Sequence, residues 1–125
     1  MEDATFDEVR LRQIVDAWPG VESGIKWEDD LVFTVASKMF CVLCVNGPAG
    51  DMAVGRLSFK VEDTRFLELT ERPGFVPAPY LARAHWVLVA KPGSLPVGEL
   101  RGLLRRSYEL VREKLPKKTQ RELAD

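Results

Sequence analysis

The segment PAPYLARAHWVLVA, residues 77–90, holds the only histidine of the chain, His85, beside Trp86. An imidazole can act as a general acid or base, but only with a nucleophile within hydrogen-bond reach or a carboxylate to orient the ring. No nucleophile elbow or comparable motif supplies either partner. The residue therefore reads as architecture: its ring bonds loop carbonyls at the entrance of a strand, and Trp86 and Leu88 pack into the core. No enzyme activity is expected.

Cys41 and Cys44 form a C-x-x-C inside FCVLCV, with no turn residue between them. In a strand, residues three apart face opposite sides with Cα atoms ~10 Å apart, beyond the ~7 Å limit for a disulfide. They read as separate thiols, at home in a core. One histidine and two diverging cysteines cannot make a zinc or soft-metal site. An iron-binding acidic face would have to come from Glu2, Asp3, Asp7, Glu8 and Asp16, which Arg10 and Arg12 interrupt. Neither a metal nor any other cofactor is expected.

The cations offer more. Arg101, Arg105 and Arg112 fall within ~40° of each other on a helix, beside Tyr108, and could grip successive phosphates. The alternative is a solvated face balanced by Glu109 and Glu113. On the predicted sheet Arg56, Ser58 and Lys60 alternate out of the core, and Lys38 sits at a hairpin tip, where cations can lie along a duplex backbone. The alternative there is the ordinary polar face of an antiparallel sheet.

These groups need a scaffold, and the periodicity supplies one. Leu11, Ile14, Val15 and Trp18 recur at helical spacing until Pro19-Gly20 stops the run. SGIKWE and LVFTVA read as two strands paired as a hairpin, with the turn at Asp29-Asp30. A tight reversal at Ser37-Lys38 leads into MFCVLCV, apolar throughout and so central or covered on both sides. VGRLSFKV alternates, with Leu57, Phe59 and Val61 inward. EDTRFLELTER predicts a short helix, the proline-rich loop that follows has no period, and AHWVLVA is the last strand. Val97, Leu100, Leu103, Leu104, Val111 and Leu115 mark a C-terminal helix ended by Pro116. The order α-β-β-β-β-α-β-α predicts an α+β fold, an antiparallel sheet with helices packed on one face and the other partly open.

The chain has 125 residues, 46% hydrophobic and 30% charged, which fits one soluble domain. Residues 1–116 make that domain, and 117–125 a charged C-terminal tail. MFCVLCV falls far short of the ~20 residues of a membrane span, and the acidic N-terminus lacks a secretion signal, so a cytoplasmic location is expected. A formal net charge of −1 weighs against a strong electrostatic grip on nucleic acid.

Five segments together resemble the MmcQ/YjbR family of small bacterial proteins: WPGVE after the first helix, SKMFCVL at 37–43, LSFKV at 57–61, PGFVPAPYLARAHWV at 73–87 and SYELVREKLPKK at 107–118. The resemblance implies a fold like CyaY, the bacterial frataxin, and a DNA-binding role with hairpins as wings. This chain departs from the family's usual pattern at Ser37, where a glycine is usual, and at Ala82-Arg83, where the family has Asn-Lys. The resulting expectation is a non-enzymatic DNA-binding protein whose weak, salt-sensitive phosphate contacts come from Lys38, Arg56, Lys60, Arg83, Arg101 and Arg105. The alternative is an adaptor for a small molecule or protein, using the open sheet face and the loop at Tyr80, Arg83, His85 and Trp86. A monomer is favoured.

Overall fold

The computed structural model describes residues 7–26, 30–44, 55–78 and 81–123. In chain order the elements are α1 (Glu8–Val15), β1 (Val21–Lys26), β2 (Asp30–Val35), β3 (Lys38–Cys44), β4 (Leu57–Lys60), α2 (Asp63–Thr70), β5 (Phe75–Pro77), β6 (Trp86–Val89), α3 (Val97–Arg112) and α4 (Lys117–Leu123). The strands form one antiparallel sheet in the order β1-β2-β3-β4-β6-β5. This is the α+β architecture the sequence predicts, with two additions. β5 lies inside the stretch read as an aperiodic proline-rich loop: Gly74, at φ +87°, turns the chain so that Phe75 pairs with Val89. Its Pro77 is tolerated because the strand is at the sheet edge. Residues 117–123 of the charged tail form α4, and Leu123 packs against the core.

Alternation sorts the side chains. One row across the sheet carries Leu31, Leu43, Leu57, Val89 and Phe75, and the next carries Phe33, Cys41, Phe59 and Val87, all buried. Leu11 and Val15 of α1, Leu69 of α2 and Leu100, Leu103, Leu104 and Tyr108 of α3 complete that core. Val97, predicted on the apolar stripe of α3, is exposed because it lies in the first turn, beyond the sheet. Trp86 and Leu88 depart from the main core as well. Val87 and Val89 take the helix side, while Trp86, although buried, lies outside that core cluster. Cys41 is buried and Cys44 half-buried, and neither forms a disulfide. Burial pushes the Cys41 thiol far up.

β3 is central, between β2 and β4. Its register against β2 slips between the pairs Phe33↔Cys41 and Thr34↔Met39, which leaves Phe40 as the extra residue of a bulge. The bulge turns both Phe40 and Cys41 into the core. It also ends the β3–β4 ladder at Cys41↔Phe59, one step before Phe40 would face Lys60. Ser107 of α3, fully buried, fills that missing step: its Oγ donates to the Phe40 carbonyl at 2.6 Å and accepts from the Lys60 N–H at 3.0 Å.

The β2–β3 reversal is one residue earlier than predicted. Val35 pairs with Lys38, so Ala36 and Ser37 are the two turn residues, at φ 48° and 69°, and Lys38 opens β3. Two-residue hairpin turns of this hand need positive φ at both positions and favour glycine at the second. A side chain in the left-handed region costs about 1 kcal/mol. Ser37→Gly is therefore expected to stabilise the fold by about 0.5–1 kcal/mol, allowing for the freer unfolded chain, as read from the denaturation midpoint at unchanged slope.

Candidate anion-binding cleft

His85 is held by partners that its sequence neighbourhood does not reveal. Its Nδ1 lies 2.7 Å from Oδ1 of Asp63 at the start of α2, and its ring meets the edge of Phe66 with centroids 5.3 Å apart. The predicted bonds to loop carbonyls are replaced by this carboxylate. His85 itself adopts φ 64°, a region histidine enters more readily than most residues, and its carbonyl accepts from Val61 N–H at 2.9 Å. The residue thus pins α2 to the start of β6. Tyr80 lies outside the described residues.

The arginines of α3 turn inward on one another's neighbours. The Arg105 guanidinium stacks over Trp18 at 5.2 Å and Tyr108 at 4.8 Å, and its Nε donates to Glu109 at 3.2 Å. Arg112 lies over Tyr108 and donates to its hydroxyl, which in turn donates to the Pro19 carbonyl at 2.5 Å. The aromatic side chain read as a neighbour of a phosphate grip is itself fully buried. Arg106 pairs with Glu62, Glu109 and Glu113, and these bonds raise its already high pKa. Of the predicted stripe, Arg105 and Arg112 are thus engaged by contacts within the protein, while Arg101 is exposed.

The sheet cations divide. Arg56 and Lys60 stand at opposite ends of β4, about 13 Å apart at strand rise, and the Arg56 Nε is buried without a hydrogen bond. Arg101, exposed, lies about 20 Å along the α3 axis from Lys114. Lys38 and Lys60, in contrast, come together. With Ser37, Met39, Trp86, Val111, Lys114 and Leu115 they line a concavity of about 580 Å³. It opens where the bulge at Phe40 and the end of β4 let the two strands part, beneath the C-terminal turn of α3. Arg83, exposed, is on its flank, since the adjoining Ala84 carbonyl accepts from Lys60 Nζ at 2.5 Å.

No carboxylate is among the described residues that line this cleft. Partial burial lowers the pKa of Lys60, and the Lys114 charge lowers it further, against a smaller opposing pull from Asp63. Two ammonium groups are thus held close enough to repel, over an apolar floor of Trp86, Val111 and Leu115. Sequence reasoning found Lys38, Lys60 and Trp86 but assigned them to two separate surfaces, and it missed Lys114. The available signal was position: Lys114 stands three residues after Val111 and one before Leu115, on the rim of the apolar stripe. Among the described residues, no group of three histidine, cysteine, aspartate or glutamate side chains could hold a metal ion.

The family model YjbR matches residues 16–110, a span that contains the whole sheet and most of α3. The chain belongs to the YjbR family. Protein DR2400 of Deinococcus radiodurans, whose crystal structure carries the family-model domain DUF419, is 30% identical, with a TM-score of 0.80 over 98% of this chain and 91% of that one. A Pseudomonas syringae protein determined as target PsR293 is 22% identical, with a TM-score of 0.67 over 84% of this chain and 98% of that one; it shares the fold. No curated protein matches the chain. Within this YjbR-family chain, Lys38 follows Ser37 at the left-handed turn position, so the departure from glycine noted in the sequence falls on the rim of the cleft.

Proposed function

We propose that this YjbR-family protein is a non-enzymatic binding module for a small organic anion, whose phosphate or carboxylate enters among Lys38, Lys60 and Lys114 while its apolar part lies against Trp86, Val111 and Leu115. The observation that carries this reading is the gathering of three lysines around an apolar floor without a carboxylate in the described lining. Like charges brought together in a partly desolvated site weaken the fold, and an anion placed between them removes that repulsion. Because the fold disfavours the protonated form of Lys60, an anion that restores it is bound with uptake of a proton at alkaline pH.

Duplex DNA is the less favoured ligand. Arg105 is occupied within the protein, and Arg56 and Arg101 lie away from the cleft, so three of the six cations expected to contact phosphates do not join it. Titration with inorganic phosphate, phenyl phosphate and a short DNA duplex distinguishes the readings. Phenyl phosphate is expected to bind about tenfold more tightly than phosphate, since a ring that buries roughly 60 Å² gains about 1.5 kcal/mol. Lys60→Ala and Lys114→Ala are each expected to weaken it about five- to tenfold. A duplex held by three lysines instead loses about 40-fold in affinity between ~50 and ~200 mM salt. Binding of the duplex alone with that salt response would replace the small-anion reading by the DNA reading. Failure of phenyl phosphate to bind at millimolar concentration removes the proposal.

A further inference from the structure

The two edges of the sheet are built differently. β5 is a three-residue edge that ends in Pro77, a form that resists pairing with another chain. β1, at the opposite edge, is six residues long, without proline or bulge, and exposed from Glu22 to Lys26. Among the described residues no strand pairs with its outer side. A long, regular, uncovered edge is a template for another strand.

The charges on β1 select the partner. In VESGIK, Glu22 and Lys26 flank Gly24 symmetrically at two residues on either side, and the pleat puts all three on one face. An antiparallel pairing of two copies with Gly24 on the two-fold axis places Glu22 of each opposite Lys26 of the other, so two ion pairs form at once. Shifting the axis by half a step, between Ser23 and Gly24, sets Glu22 against Ile25 and loses both. In the symmetric register Ile25, 55% exposed although the Leu31 opposite it is buried, gains Ser23 of the second copy as its neighbour. Gly24 fits the same picture. Its φ is not in the left-handed region, and a Cβ there would meet nothing within 4 Å, so among the described residues nothing requires glycine in mid-strand. Glycine within a strand weakens it and commonly marks the close approach of another backbone.

We propose that β1 is a self-pairing edge, through which two copies of this chain join their sheets into one twelve-stranded antiparallel sheet. This revises the monomer expected from the sequence and is independent of the lysine cleft, which lies beyond β2. The test is sedimentation or light-scattering mass at about 10 and about 500 µM, concentrations that bracket a weak dimer by mass action. The wild-type mass is expected to rise with concentration from 14.1 kDa towards twice that value. Glu22→Lys and Lys26→Glu each turn both contacts into like-charge pairs and are expected to remain at the single-chain mass. An equimolar mixture of the two variants restores opposite charges at both positions and is expected to recover the dimer. Lys26→Glu also faces Asp30 across β2, so its folding is checked by circular dichroism; if it does not fold, the wild type and Glu22→Lys decide the matter. A wild-type chain that stays at 14.1 kDa throughout, or a Glu22→Lys variant that dimerises as well as wild type, overturns the proposal.

Discussion

Ser107→Ala is expected to lower the stability of the fold by about 2–4 kcal/mol, against the roughly 5–15 kcal/mol that a domain commonly possesses. The lost oxygen serves two backbone groups that the bulge has separated, the Phe40 carbonyl and the Lys60 N–H. Each is left without its partner, at about 1–3 kcal/mol apiece if buried without solvent. Hydrophobic change is negligible, since alanine differs by a single atom. Urea denaturation measures the effect: the midpoint falls while the slope stays the same. The variant also separates support from contact in the cleft. Ser107→Ala loosens the backbone of Lys60 and weakens anion binding together with stability, whereas Lys60→Ala weakens binding without lowering the midpoint, since it also relieves the repulsion from Lys114. An unaltered midpoint in Ser107→Ala would show that water replaces the hydroxyl in the seam.

Gly20→Ala is the second large effect, expected at about 2–3 kcal/mol of lost stability. Two causes add. Gly20 is at φ +79°, where a Cβ costs about 1–2 kcal/mol. In addition a Cβ at that position would lie 2.3 Å from Leu123 Cδ2, a distance no pair of carbons accepts. The neighbour is the far end of a flexible side chain in α4, so the second cost is met by undocking that helix. The double variant Gly20→Ala/Leu123→Ala distinguishes the two causes: measured against Leu123→Ala alone, Gly20→Ala should retain only the backbone share, about 1–2 kcal/mol. Equal losses in both backgrounds would mean that α4 does not rest on Gly20.

Where apolar and polar residues alternate, or recur at helical spacing, the chain is easily read. Leu57, Phe59 and Val61, the Leu11/Val15 pair and the Leu100 to Val111 stripe all take the sides their spacing dictates. MFCVLCV is different, because a run without polar residues carries no phase. The bulge at Phe40 was therefore invisible, although it creates both the seam that Ser107 closes and the opening of the cleft. β5 was hidden for another reason: Phe75, Val76 and Pro77 become a strand only because β6 offers an edge to pair with, and local residue preferences do not contain that information. The cations were legible as residues but not as a site. Arg105 looks as available as Lys60 in the sequence; only packing reveals that one is stacked on Trp18 and Tyr108 while the other faces Lys114. The partner of His85 was equally remote, 22 positions earlier at Asp63.

The Ser107 bridge also has an order in time. Phe40 precedes it by 67 residues and Lys60 by 47, and chains are made from the N-terminus onward. During synthesis the first four strands can emerge and zip together as consecutive hairpins while their central join still lacks its last fastening. That join is completed only when α3 leaves the ribosome, so the nascent sheet carries a temporary gap that this helix, made after all the strands, is shaped to close.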